Sequence, residues 1–251
     1  MDLGLTDRTY ILTGASGGLG LATARALVAD GAKVVISSRS QESIDRTTRE
    51  LGPAAIGVAV DNADGTAPAQ LIAAAQEAFG RLDGALISVG GPPAGPILDR
   101  TEEEWRTSFE TVFLGAIRLA VAVADELGEG GSIAFVLSSS AKSPIPGLGI
   151  SNGLRPGLAM AAKNLADELG PRGIRVNALL PGRISTARVQ HLDAQSGDPD
   201  AARAAAEATI PLRRYGEPAE FGRAAAFLLS PAASFLSGVM LPVDGGLTRS
   251  L

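Results

Sequence analysis

Short runs of apolar residues alternate with longer stretches in which apolar positions recur at helical spacing, along almost the whole chain. The short runs are rich in aliphatic and β-branched residues and predict strands, whereas the longer stretches predict amphipathic helices. The predicted strands are 8–12, 33–37, 55–60, 84–88, 132–137, 174–179 and 239–243. The first predicted helix begins after Gly20 and is stopped by Asp30-Gly31. The other predicted helices are Gln41–Leu51, Pro68–Phe79, Glu102–Leu127, Pro156–Leu169 and Ala219–Leu229. This alternation indicates an α/β fold with a three-layer, doubly wound parallel sheet of about seven strands and helices on both faces.

The pattern contains no linker and no repeat, so residues 1–251 are predicted to form a single domain. Thr101 and Glu104 have the spacing of a capping box at the start of the longest predicted helix. Residues 185–210 form an irregular stretch with one alanine-rich helix and a Gly197-Asp198-Pro199 turn. Long stretches of this kind inside compact domains are often functional, so we predict a mobile lid over a substrate here.

Composition and charge exclude several classes of function. The 251 residues carry a net charge of −5 and no cysteine, so neither a basic nucleic-acid surface nor a disulfide or thiolate site is expected. The single histidine, His191, has no companions at ligand spacing, and no metal site is predicted. No apolar run approaches the ~18 residues of a membrane span, and Met1-Asp2-Leu3-Gly4 begins no signal peptide. We therefore expect a cytoplasmic protein that does not contact membranes.

A glycine-rich segment joins the first predicted strand to the first predicted helix. It reads Thr13-Gly14-Ala15-Ser16-Gly17-Gly18-Leu19-Gly20. In such a strand–turn–helix element, backbone N–H groups and the positive end of the helix dipole bind a diphosphate. The segment therefore predicts a dinucleotide site of Rossmann type, with candidate contacts at Thr13, Gly14, Ser16, Gly17, Gly18, Leu19 and Gly20.

The glycine spacing is T-G-x-x-x-G-x-G rather than G-x-G-x-x-G, and in this the chain resembles the short-chain dehydrogenase/reductase superfamily. A second stretch, 176–186, matches that family's V-N-x-x-x-P-G-x-x-x-T motif. The resemblance covers nearly the whole chain. It implies a nicotinamide cofactor whose carboxamide is held by the segment that contains Pro181, Gly182, Ile184 and Thr186.

Two further segments resemble cofactor-binding positions of the family. Asp61 and Asn62 follow the third strand, where the family places an Asp beside the adenine ring; a turn or helix-cap role for Asp61 is the alternative. Residues 87–90 align with the family's N-N-A-G motif, of which only Gly90 is retained.

The end of the second strand bears on the choice between NADP and NAD. An acidic residue there binds the ribose 2′-hydroxyl of NAD, whereas a basic residue accommodates the 2′-phosphate of NADP. The chain has Ser38 and Arg39 at this point, and the guanidinium fork suits a phosphate. We predict NADP as the cofactor, with NAD still possible.

The family's catalytic tetrad of Asn, Ser, Tyr and Lys is only partly present. The alignment places Ser on Ser138, Tyr on Ser151, Lys on Arg155 and Asn on Val112. Ser151 is a poor proton donor near neutral pH, and an arginine does not release its proton. The resemblance thus implies Ser138, Ser151 and Arg155 as catalytic positions with atypical acid/base chemistry.

Two functions stay open at this point. The first is hydride transfer between NADP(H) and a carbonyl or alcohol, such as a 3-oxoacyl thioester or a related ketone, with Lys142 or His191 as substitute proton donors. The second is a dinucleotide-binding sensor or partner subunit without turnover. The resemblance also implies a homo-oligomer, a tetramer or a dimer, formed through the alanine-rich helices that contain Ala116, Ala120, Ala161 and Ala162.

Overall fold

The computed structural model describes residues 2–195 and 197–250 and has one sheet of seven parallel strands in the order β3-β2-β1-β4-β5-β6-β7. The strands are β1 (Thr9–Leu12), β2 (Lys33–Ser38), β3 (Ala55–Ala59), β4 (Gly84–Ser88), β5 (Ser132–Val136), β6 (Arg175–Pro181) and β7 (Met240–Val243). The order reverses between β1 and β4, which is where ligands bind in doubly wound sheets. The predicted fold class is confirmed.

Nine α-helices connect or cover the described strands. They are α1 (Gly18–Ala29), α2 (Gln41–Leu51), α3 (Ala67–Phe79), α4 (Glu102–Ser108), α5 (Gly115–Glu126), α6 (Gly149–Leu169), α7 (Ala187–Ala194), α8 (Pro199–Thr209) and α9 (Pro218–Leu229). One buried cluster lies between the sheet and α3, α5 and α6, and a second lies between the sheet and α1, α2 and α9. Strands β1, β4 and β5 have apolar residues on both faces because both clusters pack against them.

Helix α6 differs from the prediction, because it begins at Gly149 and contains Pro156 inside its third turn. The backbone N–H of Gly149 donates to Gly95 O at 2.9 Å and fixes this start. A proline removes one helical hydrogen bond, but the extra turns bury Ile150 and Leu154, and that apolar burial outweighs the loss. The longer helix places Ser151 and Arg155 on regular helical backbone.

The predicted helix 102–127 is interrupted in its middle. The capping box at Thr101 and Glu104 is present, but Phe109–Leu114 forms a π-helical segment between α4 and α5. The Glu102–Glu126 stretch has the length and hydropathy of a membrane span, and 44% of its most apolar window is buried inside the fold. In α5 the buried positions, among them Leu119 and Val123, belong to the core cluster on the sheet.

Residues 185–210 contain two helices rather than the one predicted. Thr186 caps α7 by accepting a hydrogen bond from the backbone of Val189, and Asp198 caps α8 by accepting one from Ala201. The sequence reasoning recognised the alanine-rich α8 but missed α7, whose short polar sequence has no apolar periodicity.

Candidate active site

The turn between β1 and α1 offers bare backbone amides at its open edge. Helix α1 begins after Gly17, and in the part of the chain that the structure describes no side chain caps it or places a negative charge in its first turn. Gly14, Gly17 and Gly18 are exposed. The first-turn amides therefore keep their positive end available for an anion.

The glycines of this turn have two different tasks. A Cβ on Gly20 would lie 2.7 Å from Gly14 O, and a Cβ on Gly14 would lie 2.7 Å from Ser88 O, so both allow close packing of backbone. A Cβ on Gly17 would meet no protein atom within 4 Å. The space beside Gly17 is thus open to a ligand, and this local geometry fits the diphosphate of a dinucleotide.

Thr13 and Ser16 support the turn from behind. The Thr13 hydroxyl donates to Ser88 O at 2.8 Å and accepts from Ser88 N at 2.9 Å, and the side chain is fully buried. Its role is to join β1 to β4 rather than to touch a ligand. The carbonyl of Ser16 accepts from Thr47 of α2, and Leu19 is half-buried.

The segment after β6 lies against the same turn. A Cβ on Gly18 would lie 3.8 Å from Thr186 Cγ2, so the two motifs face one another. Gly182 donates to Val243 O and would clash with Asp244 if it carried a Cβ. Pro181 is half-buried and Ile184 is buried. The fold therefore brings the 181–186 segment to the glycine turn, as the resemblance implied.

The end of β2 presents a free cation. Arg39 is exposed and takes part in no ion pair of the described residues, whereas Ser38 accepts a hydrogen bond from Ser40 N.

The ends of β3 and β4 carry the other predicted cofactor contacts. At the end of β3, the Asp61 carboxylate accepts a hydrogen bond from Ala63 N and so has a turn role. The backbone carbonyl of Asn62 packs closely against Gly115. After β4, Gly90 is exposed, and a Cβ there would meet no protein atom within 4 Å.

Three serines form a connected group where β5 meets α6. The Ser138 hydroxyl accepts a hydrogen bond from Ser140 N at 3.1 Å. The hydroxyls of Ser140 and Ser151 are 3.1 Å apart, and both side chains are buried. Ser138 is only half-buried, so it is the member of the group that a substrate oxygen can reach.

Arg155 lies one helical turn beyond Ser151 and is buried. Its Nη1 donates to Val136 O at 2.9 Å, while its Nε has no hydrogen-bond partner among the described residues. Burial, together with the positive charge of Arg188, lowers the pKa of Arg155 to about 10. The guanidinium is thus a desolvated cation beside the serine group.

The side chains of the other residues considered for proton transfer form no hydrogen bond with the three serines among the described residues. Lys142 and His191 are exposed, and the His191 ring contacts Gln195 of its own helix. Tyr10 is buried in β1 with a pKa raised to about 12 by desolvation. Val112, at the position of the family's Asn, is buried in the core. Among the described contacts, none of these side chains donates a hydrogen bond to Ser138, Ser140 or Ser151.

Sequence reasoning missed Arg188 and a cluster that fixes α7. Arg188 Nη2 donates to Pro92 O at 2.7 Å, and its guanidinium packs on Gly91. Asp193 accepts from Arg183 Nη1 at 2.8 Å and from the Tyr215 hydroxyl at 3.1 Å. These contacts join distant segments, and no local pattern announces them. The one feature of the sequence that could have pointed to Arg188 is its position two residues after Thr186, the last residue of the 176–186 motif.

Comparisons with known proteins agree with this geometry. Residues 14–248 match a family model described as enoyl-(acyl carrier protein) reductase. The chain is 36% identical over 250 residues to an uncharacterised oxidoreductase of Mycobacterium tuberculosis, covering 97% of this chain and 93% of the relative. It is 35% identical over 256 residues to dehydrogenase/reductase SDR family member 4 of Sus scrofa, covering 98% and 89%.

Two solved structures are similar over nearly the whole chain. One is L-sorbose reductase from Gluconobacter frateurii complexed with NADPH and L-sorbose, with a TM-score of 0.94, 27% identity and full coverage of both chains. The other is 3-ketoacyl-(acyl-carrier-protein) reductase from Brucella melitensis complexed with NADH, with a TM-score of 0.86 and 29% identity, covering 97% of this chain and 99% of that one.

Proposed function

The chain belongs to the short-chain dehydrogenase/reductase family and is an oxidoreductase of that type; from this premise we propose that it transfers a hydride between NADP(H) and a carbonyl or alcohol substrate. The observation that carries the proposal is the proximity of Gly18 to Thr186, whose Cγ2 would lie 3.8 Å from a Cβ added to Gly18. It unites a bare glycine turn and the segment after β6 at one edge of the sheet, and β5, which leads to Ser138, lies between β4 and β6 at that edge.

The choice of NADP rests on Arg39. Its guanidinium is free of ion pairs among the described residues, and no carboxylate stands at Ser38 to repel a 2′-phosphate. A charge-assisted, bidentate contact to phosphate is what such an arginine forms well. Solved relatives hold NADPH in one case and NADH in another, so the proposed preference for NADP is argued from the residues of this chain.

Ser138 positions the substrate oxygen. Its hydroxyl oxygen already accepts from Ser140 N, which leaves its proton free to donate to a carbonyl oxygen. When bound, the nicotinamide supplies the hydride chemistry. As the carbonyl carbon gains a hydride, its oxygen gains a proton, and we assign that proton to water at the half-buried Ser138. The backbone N–H of Ser140 fixes the Ser138 hydroxyl, and the buried contact between the Ser140 and Ser151 hydroxyls holds Ser140.

A spectrophotometric assay with a nucleotide titration tests the proposal. NADPH should bind, as seen by fluorescence, and should be oxidised with at least one member of a panel of ketones, 3-oxoacyl thioesters and sugars. NADPH binding without turnover across that panel and across the corresponding alcohols with NADP⁺ would contradict the reductase and favour the sensor. Failure to bind any nicotinamide nucleotide would contradict both.

We also propose that the protein acts in the cytoplasm, because a chain without cysteine suits a reducing compartment. We further propose that it forms a homo-oligomer. Phe109 stacks on Phe113 and is partly exposed, and Val121 and Met160 are exposed on the neighbouring α5 and α6. Apolar side chains grouped in this way favour an interface. Analytical ultracentrifugation should show a dimer or tetramer, and Met160→Glu should shift it toward a monomer.

A further inference from the structure

Helix α7 has no apolar side chain fully buried in the fold. Of its eight residues only Asp193 is buried, and the helix is shorter than the roughly 12–15 residues at which an isolated helix becomes even marginally stable. Contacts with other segments must therefore hold α7 in place. Its described side-chain hydrogen bonds to other segments are made by Arg188 near its start and by Asp193 near its end.

The end of α7 is held by a cluster of three side chains, Arg183, Asp193 and Tyr215. Arg183 Nη1 donates to one oxygen of the Asp193 carboxylate at 2.8 Å, and the Tyr215 hydroxyl donates to the other oxygen at 3.1 Å. Asp193 and Tyr215 are buried, so water competes little for these bonds. Desolvation and the bond to Asp193 raise the pKa of Tyr215 against the lowering effect of Arg183, so the hydroxyl remains a donor at neutral pH.

The cluster closes a ring that begins and ends at Arg183. From Arg183 the chain runs through Thr186 and α7 to Asp193, whose carboxylate returns to the Arg183 guanidinium. The backbone at the base of this ring is itself fixed, because Gly216 N donates to Arg183 O at 2.9 Å and Ser185 N donates to Gly216 O at 2.8 Å. Thr186 lies within the ring, so its freedom to move depends on whether the ring is closed.

The start of α7 lies beside the proposed cofactor site. Thr186 Cγ2 would lie 3.8 Å from a Cβ added to Gly18 in the glycine turn. Two residues further along, Arg188 Nη2 donates to Pro92 O at 2.7 Å, in the loop after β4. The position of α7 therefore determines how Thr186 and Arg188 meet two segments that are predicted to contact the nucleotide.

We infer that Asp193 and Tyr215 are positioning residues for nucleotide binding, which hold α7 so that Thr186 stays against the glycine turn. The inference rests on the proposed function, because it takes the nucleotide to lie at that turn. Asp193 and Tyr215 bond to Arg183 and to one another rather than to the nucleotide, so they act through α7.

The variant that tests this role removes a single hydroxyl group. Arg203 of α8 lies over the Tyr215 ring at 4.8 Å, so loss of the ring would disturb both helices. Tyr215→Phe keeps the ring and removes only the bond to Asp193. The matched control is Tyr10→Phe, at the only other tyrosine of the chain. Tyr10 is also buried, in the cluster against α1, α2 and α9, and has no hydrogen bond to α7 among the described residues.

Amide hydrogen exchange, followed by mass spectrometry, measures how firmly α7 is held. In Tyr215→Phe without nucleotide, the amides of residues 187–194 should exchange at least about threefold faster than in the parent, because a hydrogen bond to a carboxylate is lost. The amides of α9 should keep the parental rate, and Tyr10→Phe should leave 187–194 unchanged. Unchanged exchange in 187–194 of Tyr215→Phe, or equally faster exchange in α9, would overturn the inference.

Fluorescence titration measures the consequence for the nucleotide. Tyr215→Phe should weaken NADPH binding by about three- to tenfold, less than the full effect of a hydrogen bond to a charged group, because the hydroxyl acts through α7. Tyr10→Phe should bind NADPH as the parent does. Undiminished NADPH binding in Tyr215→Phe would show that the inference is wrong.

A double variant separates positioning from a general structural role. Thr186→Val removes the hydroxyl that the cluster is inferred to position. Adding Tyr215→Phe to Thr186→Val should therefore weaken NADPH binding by less than about a further twofold, since residues that act through one another are not additive. A further loss as large as that caused by Tyr215→Phe alone would contradict the inference.

The same measurements distinguish failure of the inference from failure of the proposed function. If the parent binds no nicotinamide nucleotide, the proposed function is contradicted, and the exchange of residues 187–194 alone decides whether the cluster positions α7. If the parent binds NADPH and Tyr215→Phe binds it equally well, the proposed function stands and the inference falls.

Discussion

Ser140, in the turn after β5, and Ser151, in the first turn of α6, lie with their hydroxyl oxygens 3.1 Å apart. This hydrogen bond joins the end of the strand to the helix that carries Arg155. Ser140 also donates its backbone N–H to the Ser138 hydroxyl, so the position of Ser138 depends on both elements.

We expect Ser138→Ala to lower kcat by about 100-fold, the usual loss when a preorganised donor to a developing oxyanion is removed. The affinity for NADPH should stay unchanged, because the glycine turn does not contact this side chain. Steady-state kinetics and fluorescence titration measure the two quantities. Ser143→Ala, at an exposed serine nearby, is the control, and an unchanged kcat in Ser138→Ala would remove Ser138 from the mechanism.

We expect Gly17→Ala to bind NADPH at least about tenfold more weakly while it unfolds at the same temperature as the parent. The φ angle of Gly17 is −173° and no protein atom lies within 4 Å of an added Cβ, so the fold accepts alanine. The methyl group would occupy the space in which backbone approaches a diphosphate. Gly170→Ala, also in open space with φ −52°, should change neither property. Undiminished NADPH binding would contradict the site.

We expect Arg39→Ala to weaken NADPH binding by about 10–100-fold and NADH binding hardly at all, because only NADPH carries the 2′-phosphate. Ser38→Asp should shift the preference toward NADH. Arg46→Ala, an exposed arginine on α2, serves as the control. Equal losses for both nucleotides in Arg39→Ala would show that Arg39 does not read the phosphate.

Arg155 and Arg175 should differ in their effect on stability. Burial lowers the pKa of Arg155 on folding to about 10, so below pH 10 the folded state carries the full cost of its buried charge, and stability rises only as the pH increases above about 10. At pH 8, Arg155→Met should therefore unfold with a free energy equal to the parent's or up to about 2 kcal/mol higher.

Arg175→Met should instead lose about 2–4 kcal/mol, because four carbonyl oxygens lose charge-assisted hydrogen bonds. Urea unfolding of both variants measures the contrast. A loss in Arg155→Met as large as that in Arg175→Met would show that the fold itself compensates the buried charge of Arg155.

Glu220 should contribute to acid sensitivity. Its carboxylate accepts two hydrogen bonds from Arg214 and one from Glu217 N, and these lower its pKa from 4.5 to about 2. A lowered pKa gives stability that is present above pH 4.5 and is lost as pH falls toward 2. Because the pair is exposed, Glu220→Gln should remove no more than about 1 kcal/mol at pH 6.

The measurement is the free energy of unfolding between pH 6 and pH 2, where Glu220→Gln should show a flatter dependence than the parent. Glu126→Gln, at an exposed glutamate outside the ion pairs of the described residues, is the control. Parallel curves for Glu220→Gln and the parent would show that the ion pair contributes nothing.

Apolar periodicity, glycine spacing and capping residues act over a few positions, so the sheet, the glycine turn and the motif in 176–186 could be predicted from the amino-acid sequence. The resemblance to the family's tetrad also predicts Ser138, Ser151 and Arg155 as catalytic positions, and this stays a prediction. The start of α6 was placed wrongly at Pro156, because apolar burial of Ile150 and Leu154 against the sheet outweighs one missing backbone bond. Burial of that kind depends on residues far away in the chain.

Which polar groups find hydrogen-bond partners depends on the folded chain and could not be predicted from the sequence. Arg155 and Arg175 are the same residue type in similar apolar surroundings of the sequence, yet one meets a single carbonyl oxygen and the other meets four. Thr13 is likewise removed from the ligand side by its bonds to Ser88, 75 positions away. Hydrogen bonds and desolvation depend on distances in space, which a linear pattern of residues does not contain.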